Sequence, residues 1–257
     1  MKLTFLGTGT STGVPQLNCR CRTCISDDPR DRRTRCSAVV ETDGGNILID
    51  CGPDFTSQIL GHFNFKAIDA VLLTHSHYDH VGGIDDLRPY CTPEGFPIYC
   101  QKDVENDLRS RIPYCFREHP YPGVPKFRFH TLHPFRRFEV CGVVVTPLEI
   151  VHSPLIPHIL GFKIGENLAY ITDALKIPQQ TVDEIMGIDT LVINALRIKP
   201  HPSHQTLEEA LAVIRKVKPR RCFLTHLSHD MGLHAEVSAS LPENVFIAVD
   251  GLSVDIP

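Results

Sequence analysis

The segment from Thr74 to His80 carries a high density of groups that can bind a metal ion. Three histidines and an aspartate fall within six residues, directly after an apolar run. If the segment begins extended, His75 and His77 project to the same side, because side chains alternate along extended backbone. Asp79 and His80 can then turn toward a second point nearby. The segment predicts a site for two divalent metals, an arrangement suited to the hydrolysis of an ester.

A second group of potential ligands lies near the N-terminus, where Cys19, Cys21 and Cys24 form a CxCxxC motif. Three thiols so close together on an irregular loop share one small volume, so they cannot all be buried in a core. Their natural use is as three of the four tetrahedral ligands of zinc. The spacing does not supply the fourth ligand, which must come from elsewhere. The alternative is a surface triad without metal, which would be prone to oxidation.

His204 is a candidate for direct contact with a substrate. Apolar residues at helical spacing predict a helix from Ser203 to Lys216, with Ser203 as its N-cap. Free amides and the positive end of the helix dipole favour an anion at such a position. His204 could therefore contact a phosphate or protonate a leaving oxygen. The alternative is a solvated residue beside the helix cap.

The composition is that of an ordinary globular protein with a surplus of soft ligands. The chain has 257 residues, 42% hydrophobic and 22% charged, with 10 cysteines and 14 histidines. A formal net charge of −4 gives no general attraction to nucleic acid or anionic membranes. No apolar run approaches the roughly 20 residues that span a bilayer, and the first run breaks at Gly7, too early for a signal peptide. We expect a soluble, cytoplasmic protein with reduced cysteines.

Short apolar runs that end at polar residues recur along the chain and predict buried strands. Asp50, His75, Asp173 and His226 each follow such a run, and a sheet commonly holds its functional groups at such ends. A second helix is expected at about 178–186. The stretch 88–134 is rich in Pro, Tyr and Phe, and we interpret it as insertion and loop. One domain over 1–257, with a structural zinc loop at about 15–36, is therefore predicted. The remaining cysteines are expected to be buried or incidental thiols: Cys36, Cys51, Cys91, Cys100, Cys115, Cys141 and Cys222.

The segment Thr74–His80 resembles the THxHxDH signature of the metallo-β-lactamase superfamily. That resemblance implies an α/β fold, the αββα sandwich of two mixed β-sheets flanked by helices, with a metal site along the top of both sheets. Four further segments resemble the family's motifs in the family's order: Leu48–Gly52, Val151–Ser153, Ile171–Asp173 and Thr225–His226.

The resemblance also implies a role for each ligand. Asp50 would accept a hydrogen bond from a ligand histidine and fix its tautomer, and Asp79 would serve catalysis as well as binding. Zinc or manganese would fill the site, with iron or nickel as further alternatives. The implied ligands are His75, His77 and His152 for one metal, Asp79, His80 and His226 for the other, and Asp173 bridging both.

The cysteine motif narrows the resemblance to the PhnP-type cyclic phosphodiesterases, accessory enzymes of the carbon–phosphorus lyase pathway. In these proteins the motif is closed by a histidine three residues after the last active-site histidine, which here is His229. The resemblance implies one structural zinc on Cys19, Cys21, Cys24 and His229, and substrate handling by His204. It implies hydrolysis of a small phosphodiester, with a cyclic ribose phosphate first, by a metal-bridging hydroxide. No membrane or stable nucleic-acid partner is expected, and a homodimer is left open.

Three other functions compete with this interpretation. An RNA-processing nuclease resembling tRNase Z would use the same metal ligands, but the sequence shows neither a basic arm nor a basic surplus. A thioesterase or lactonase resembling glyoxalase II shares the histidine motif but lacks the cysteine site. A zinc-dependent nucleic-acid-binding module would use the cysteines structurally, and the acidic net charge disfavours it.

Overall fold

A computed structural model describes residues 1–64, 66–119 and 121–257. These residues form two seven-stranded sheets that enclose one apolar layer and carry helices on their outer faces. The predicted fold class, an αββα sandwich of two mixed sheets, is confirmed. The single domain over 1–257 stays a prediction.

Within the described residues, the first six strands and the last one form the first sheet, and the seventh to the thirteenth form the second. The strands are β1 Lys2–Gly7, β2 Ser37–Thr42, β3 Gly45–Ile49, β4 Ala70–Leu72, β5 Phe96–Cys100, β6 Phe127–Thr131, β7 Phe138–Val140, β8 Val143–Val151, β9 His158–Ile164, β10 Leu168–Ile171, β11 Thr190–Asn194, β12 Arg221–Thr225, β13 Val245–Ile247 and β14 Ser253–Asp255. The α-helices are α1 Phe55–His62, α2 Tyr78–Val81, α3 Lys102–Arg111, α4 Gln179–Glu184, α5 Leu207–Val217 and α6 His234–Ser238. In the described ranges no helix is both long and apolar enough to cross a bilayer.

The two sheets share one pattern of strand directions. The first has the order β14-β1-β2-β3-β4-β5-β6 and the second β13-β12-β11-β10-β9-β8-β7. In each sheet four neighbouring strands run parallel, β3 to β6 in the first and β10 to β13 in the second. Parallel strands bring their carboxyl ends to one edge of the sheet, which is where open α/β sheets bind ligands.

Three apolar layers hold the sandwich together. Between the sheets Phe5, Phe162 and Tyr170 are fully buried. Leu108 of α3 packs in the layer on the outer face of the first sheet, and Ile214 of α5 in the layer on the second. Each such side chain contributes about 1.5–3 kcal/mol through burial, so the strand ends that carry polar residues are rigidly placed.

The interpretation of 88–134 as insertion and loop is wrong. This stretch supplies β5, β6 and α3, and both strands extend the parallel part of the first sheet. In β5 the side chains of Phe96, Ile98 and Cys100 are buried while those of Pro97 and Tyr99 are only partly so. The prolines and aromatic residues obscured this alternation in the sequence.

The predicted start of the long helix is also wrong. Helix α5 begins at Leu207, because Thr206 is its N-cap and forms a capping box with Glu209. Ser203 has no acidic partner at the third position beyond it, whereas Thr206 has one. His204 therefore lies before the cap, and the helix-start argument for an anion there does not hold. The helix expected at about 178–186 is α4, directly after Pro178.

The cysteines outside the CxCxxC motif follow the expectation of buried or incidental thiols. Cys36, Cys51, Cys100 and Cys222 are buried. The other three, Cys91, Cys115 and Cys141, are partly exposed.

Candidate metal centre

The predicted ligands of the dinuclear site lie together at the edge where the parallel strands end. His75 and His77 follow β4, and the short helix α2 carries Asp79 and His80. The other ligands come from the second half of the chain and each follow a strand directly or within two residues: His152 after β8, Asp173 after β10 and His226 after β12. All are buried except His77, which is half-buried.

The metal-binding side chains form two donor groups, and Asp173 belongs to one of them and lies close to the other. One donor atom from each of His75, His77 and His152 lies within 4.8 Å of the others, and the same holds for the group of Asp79, His80, Asp173 and His226. Asp173 also lies within this distance of His152 and His204. The grouping agrees with the ligand sets that the resemblance implied, with Asp173 where a bridging carboxylate would be needed.

The unpartnered nitrogens test whether a metal ion fits here. Nε2 of His80 and Nε2 of His226 are buried, and neither has a hydrogen-bond partner in the described part of the chain. Nε2 of His80 lies 3.2 Å from a carboxylate oxygen of Asp79 and 3.2 Å from one of Asp173. Nε2 of His226 lies 3.3 Å from a carboxylate oxygen of Asp173. Tetrahedral ligands with metal–nitrogen bonds of about 2.0–2.1 Å are about 3.3 Å apart. The donor set therefore fits divalent cations. How many of them bind, and which metal they are, stay predictions.

Three residues of the site adopt left-handed backbone conformations. The φ angles are +58° at Asp50, +57° at Asp173 and +55° at His226. Non-glycine residues rarely adopt this region, and holding them there costs on the order of 1–3 kcal/mol each. The turns redirect these side chains at the ends of β3, β10 and β12, which is where a functional site commonly stores strain.

Asp50 supports the ligands from behind. Its carboxylate accepts hydrogen bonds from Nδ1 of His80 at 2.7 Å and from both the backbone and the hydroxyl of Thr74 at 2.8 and 2.9 Å. The Thr74 hydroxyl lies 3.0 Å from Nδ1 of His75. Both imidazoles thereby keep Nε2 directed into the site. Asp50 thus has the geometry predicted for it.

Burial and charge set the protonation of the ligands. Burial lowers the pKa of His75 well below its usual value and that of His152 to about 4. Burial alone would raise the pKa of Asp173, but attraction to the imidazoles of His226 and His80 outweighs it and holds that pKa well below the ordinary value. Burial alone would lower the pKa of His80, but the carboxylates of Asp173, Asp79 and Asp50 raise it well above the ordinary value. His75 and His152 are therefore ready to bind a metal in the neutral form, whereas His80 must release a proton when a metal binds.

His204 completes the rim of the site. Its Nε2 lies 3.0 Å from Asp173, and its Nδ1 lies 2.9 Å from the hydroxyl of Ser203. The helix-start argument for His204 fails, since no helix begins there, whereas the family resemblance gave it a place near the substrate independently of that argument. It reaches the site because the segment before α5 folds over Asp173.

The cysteine cluster forms with the predicted partner. Donor atoms of Cys19, Cys21, Cys24 and His229 lie within 4.8 Å of one another. Nδ1 of His229 is 3.5 Å from Sγ of Cys19 and 3.3 Å from Sγ of Cys21, close to the roughly 3.6 Å expected for tetrahedral zinc with sulfur and nitrogen ligands. Burial alone would raise the pKa of the Cys21 thiol, but hydrogen bonds from the Cys24 backbone and His229 lower it to about 6. The cluster thus fits zinc.

Comparison with known proteins decides the family. Residues 45–227 match the family described as "Beta-lactamase superfamily domain". The chain belongs to the metallo-β-lactamase superfamily. Membership and the two donor groups together identify a metal-dependent hydrolase.

Two solved structures of this superfamily's fold match nearly the whole chain. One is described as a new diphosphatase from the PhnP family, 37% identical, with a TM-score of 0.90 over 98% of this chain and 96% of that one. The other, Zn²⁺-bound PqqB from Methylobacterium extorquens, has a TM-score of 0.82 over 99% and 100%, and at 23% identity it shows the fold alone.

A further relative is longer than this chain. An octanoyltransferase of Porphyromonas gingivalis (strain ATCC BAA-308 / W83) is 44% identical over all of this chain, which spans only 52% of that protein. The chain thus spans about half the length of this relative.

The hydrolase site has a feature that the sequence reasoning missed. A cavity of about 410 Å³ opens over the donor groups, and Ser11 contributes to its rim. Ser11 follows β1 on a turn held by hydrogen bonds from the Thr10 amide to the Leu227 carbonyl and from Arg35 Nε to the Ser11 carbonyl. The metal ligands were found as polar residues that follow an apolar strand. Ser11, on the polar turn after β1, carries the same signal.

Proposed function

We propose that the protein hydrolyses a small phosphodiester, with a cyclic ribose phosphate as the first candidate substrate. The observation that carries this proposal is the joining of two donor groups through Asp173 on the floor of one open cavity. Two cations so placed suit the in-line displacement of a phosphate ester. The 37% identity to a PhnP-family diphosphatase favours phosphorus over carbon as the reacting atom.

The residues of the two donor groups would hold the metals, one in the histidine group and one in the group of Asp79, His80 and His226, with Asp173 common to both. The metals, when bound, would supply an activated water and take up charge on the phosphoryl oxygens. The cysteine cluster holds no group that faces the cavity and would serve the fold.

The chain's own residues orient the substrate. Among the hydroxyls on the cavity lining, that of Ser153 accepts from the Ile156 amide and that of Ser203 contacts His204. Ser11 is exposed at the rim, so we assign it to donate a hydrogen bond to a phosphoryl oxygen. His204, which also lines the cavity, protonates the leaving oxygen or binds the phosphoryl group.

The leaving group distinguishes these two roles of His204. If it protonates the leaving oxygen, His204→Ala should slow hydrolysis of an alkyl phosphodiester far more than that of bis(p-nitrophenyl) phosphate, whose leaving group needs no proton. General acids typically contribute about 10²–10⁴-fold. Equal losses for both substrates would assign His204 to phosphoryl binding.

Metal-restored turnover tests the proposed function. Chelated protein should cleave neither bis(p-nitrophenyl) phosphate nor a ribose cyclic phosphate, and zinc or manganese should restore both activities. His77→Ala should abolish them, whereas His119→Ala, at an exposed position outside both donor groups, should not. Metal-loaded protein that cleaves no phosphodiester would refute the proposal.

Acyl transfer chemistry is the second candidate, because a protein named octanoyltransferase contains a region 44% identical to this whole chain. That name belongs to the complete protein, and the matched part is about half of it. Transfer of the octanoyl group from a thioester, or hydrolysis of that thioester, without phosphodiester cleavage would favour acyl chemistry over the proposed function. The net charge of −4 continues to disfavour an RNA substrate.

A further inference from the structure

A second cavity, of about 540 Å³, adjoins the metal centre. We call it the outer cavity and the one over the donor groups the inner cavity. Leu155 and Ile156 line both. The motif segment also divides them, since Ser76 faces the outer cavity and His77 the inner one. The two cavities therefore adjoin along Leu155, Ile156 and the Ser76–His77 segment.

The outer cavity is built by the region that the sequence left without a role. Its walls come from the N-cap and first turns of α3 (101–107), the last residue of β6 with the segment after it (131–134), and the end of the β8–β9 loop with the first residue of β9 (155–158). The first two lie in the 88–134 stretch. This region thus forms part of the active-site surroundings in addition to extending the first sheet.

Lys102 and His158 in the outer cavity are already paired within the protein, whereas two carboxylates of its lining, those of Asp103 and Asp107, have no cationic partner among the described residues. Nζ of Lys102 pairs with Glu105 at 2.7 Å, and Nδ1 of His158 lies 2.8 Å from Glu149. The carboxylate of Asp107 accepts a hydrogen bond from the Ser76 hydroxyl. A second phosphate would therefore meet no free cation here and would be repelled by these carboxylates, whereas a hydroxyl could donate a hydrogen bond to either of them.

The remaining polar groups suit hydroxyls. Gln101 contributes an amide, Thr131 a hydroxyl and His133 an imidazole, and all three keep exposed surface. Each of these groups can both donate and accept a hydrogen bond, as a hydroxyl does. Beside them lie apolar surfaces: Leu132, buried, and Leu155, 93% exposed. Alternating hydroxyl and apolar surface is the chemistry of a sugar ring.

We propose that the outer cavity binds the hydroxyl-bearing organic group that the substrate carries on its phosphorus, a sugar or similar polyol. The proposal rests on the proposed function, because the phosphoryl group must lie in the inner cavity. Leu155 would then cover the ring on the side that faces solvent. The outer cavity selects the substrate, while the donor groups of the inner cavity carry out the reaction.

Binding of two phosphate monoesters tests the proposal without turnover. Ribose 5-phosphate and methyl phosphate share the ester phosphate, and only the first carries ring hydroxyls. By calorimetry on the metal-loaded protein, we expect ribose 5-phosphate to bind more tightly. His133→Ala and Gln101→Ala should each weaken it about five- to tenfold, the effect of one lost hydrogen bond, and leave methyl phosphate unchanged.

His130→Ala is the matched control. His130 precedes Thr131 on β6 and stacks on Tyr99; it lines a neighbouring groove that shares residues 131–133 with the outer cavity, but it does not line the outer cavity itself. Its removal should therefore alter neither affinity. Equal binding of the two ligands by the wild-type protein would overturn the proposal, as would variants that weaken both ligands alike. Selective binding of ribose 5-phosphate by a protein that cleaves no phosphodiester would uphold the cavity and refute the proposed function.

Discussion

Replacing Asp50 by asparagine replaces one of the two acceptor oxygens that hold the ligand histidines with an NH₂ group. The carboxylate is fully buried and accepts three hydrogen bonds, two from Thr74 and one from His80. The asparagine side chain would have nearly the same volume but a single acceptor oxygen. Its NH₂ group would then face a donor, so both that group and one donor of Thr74 or His80 would lack a partner.

The magnitude follows from the number of buried groups left unpaired. Each costs about 1–3 kcal/mol, so Asp50→Asn should lower the free energy of unfolding by about 2–6 kcal/mol. Losing the acceptor behind His80 should also weaken metal affinity about 10- to 100-fold, as replacing the partners of metal-binding histidines typically does. Asp54→Asn is the control, because Asp54 is partly exposed and pairs with Arg35. It should cost about 1 kcal/mol and leave metal affinity unchanged.

Two measurements check this prediction. Urea unfolding in the presence of a chelator gives the loss of stability without metal, and competition with a chromophoric chelator gives metal affinity. If Asp50→Asn unfolds at the wild-type urea concentration and binds metal as tightly as the wild type, the argument that Asp50 holds the ligand imidazoles is refuted.

Three further outcomes are expected. His229→Ala should lower metal content by one zinc per chain, measured by elemental analysis, and an unchanged content would show that His229 is not needed to hold that zinc. In chelated protein, burial holds the pKa of His152 near 4 and lowers that of His75, so the unfolded chain takes up protons below pH 6.5 that the folded one does not. Unfolding free energy should therefore fall as pH drops from 6.5 toward 4, by up to about 1.4 kcal/mol per pH unit for each group; equal urea midpoints at pH 7 and 5 would contradict this. Ser11→Ala should raise KM for a phosphodiester about fivefold with kcat retained, whereas Thr12→Ala on the same turn should change neither.

Much of the site could be predicted because its signals are local. The histidines from 75 to 80 lie within one short segment of chain, and Asp50, Asp173 and His226 each follow an apolar strand. The capping box of Thr206 and Glu209 was equally local, and giving weight to its spacing would have placed the start of α5 correctly. The periodic pattern alone extends the helix to Ser203, three residues before this cap.

The strands β5 and β6 could not be found in this way. In β5, Pro97 is untypical of a strand interior. In β6, Phe127 and Phe129 do alternate with polar residues, but the pattern covers only five residues, none of them buried. They are strands because β4 offers a parallel edge for β5, and β5 then offers one for β6. In each case the neighbouring strand is distant in sequence, so no local pattern reveals the pairing.

The sequence by itself determined which groups can bind metal and that they follow strand ends, because side-chain chemistry and strand period are properties of short segments. Only the tertiary structure decided that His152 and Asp173 meet the motif at His75, that His204 lies over Asp173 without a helix start, and that a second cavity opens beside the first. These features depend on how two sheets pack and on which loops then face each other. Such packing is set by contacts between residues far apart in the chain.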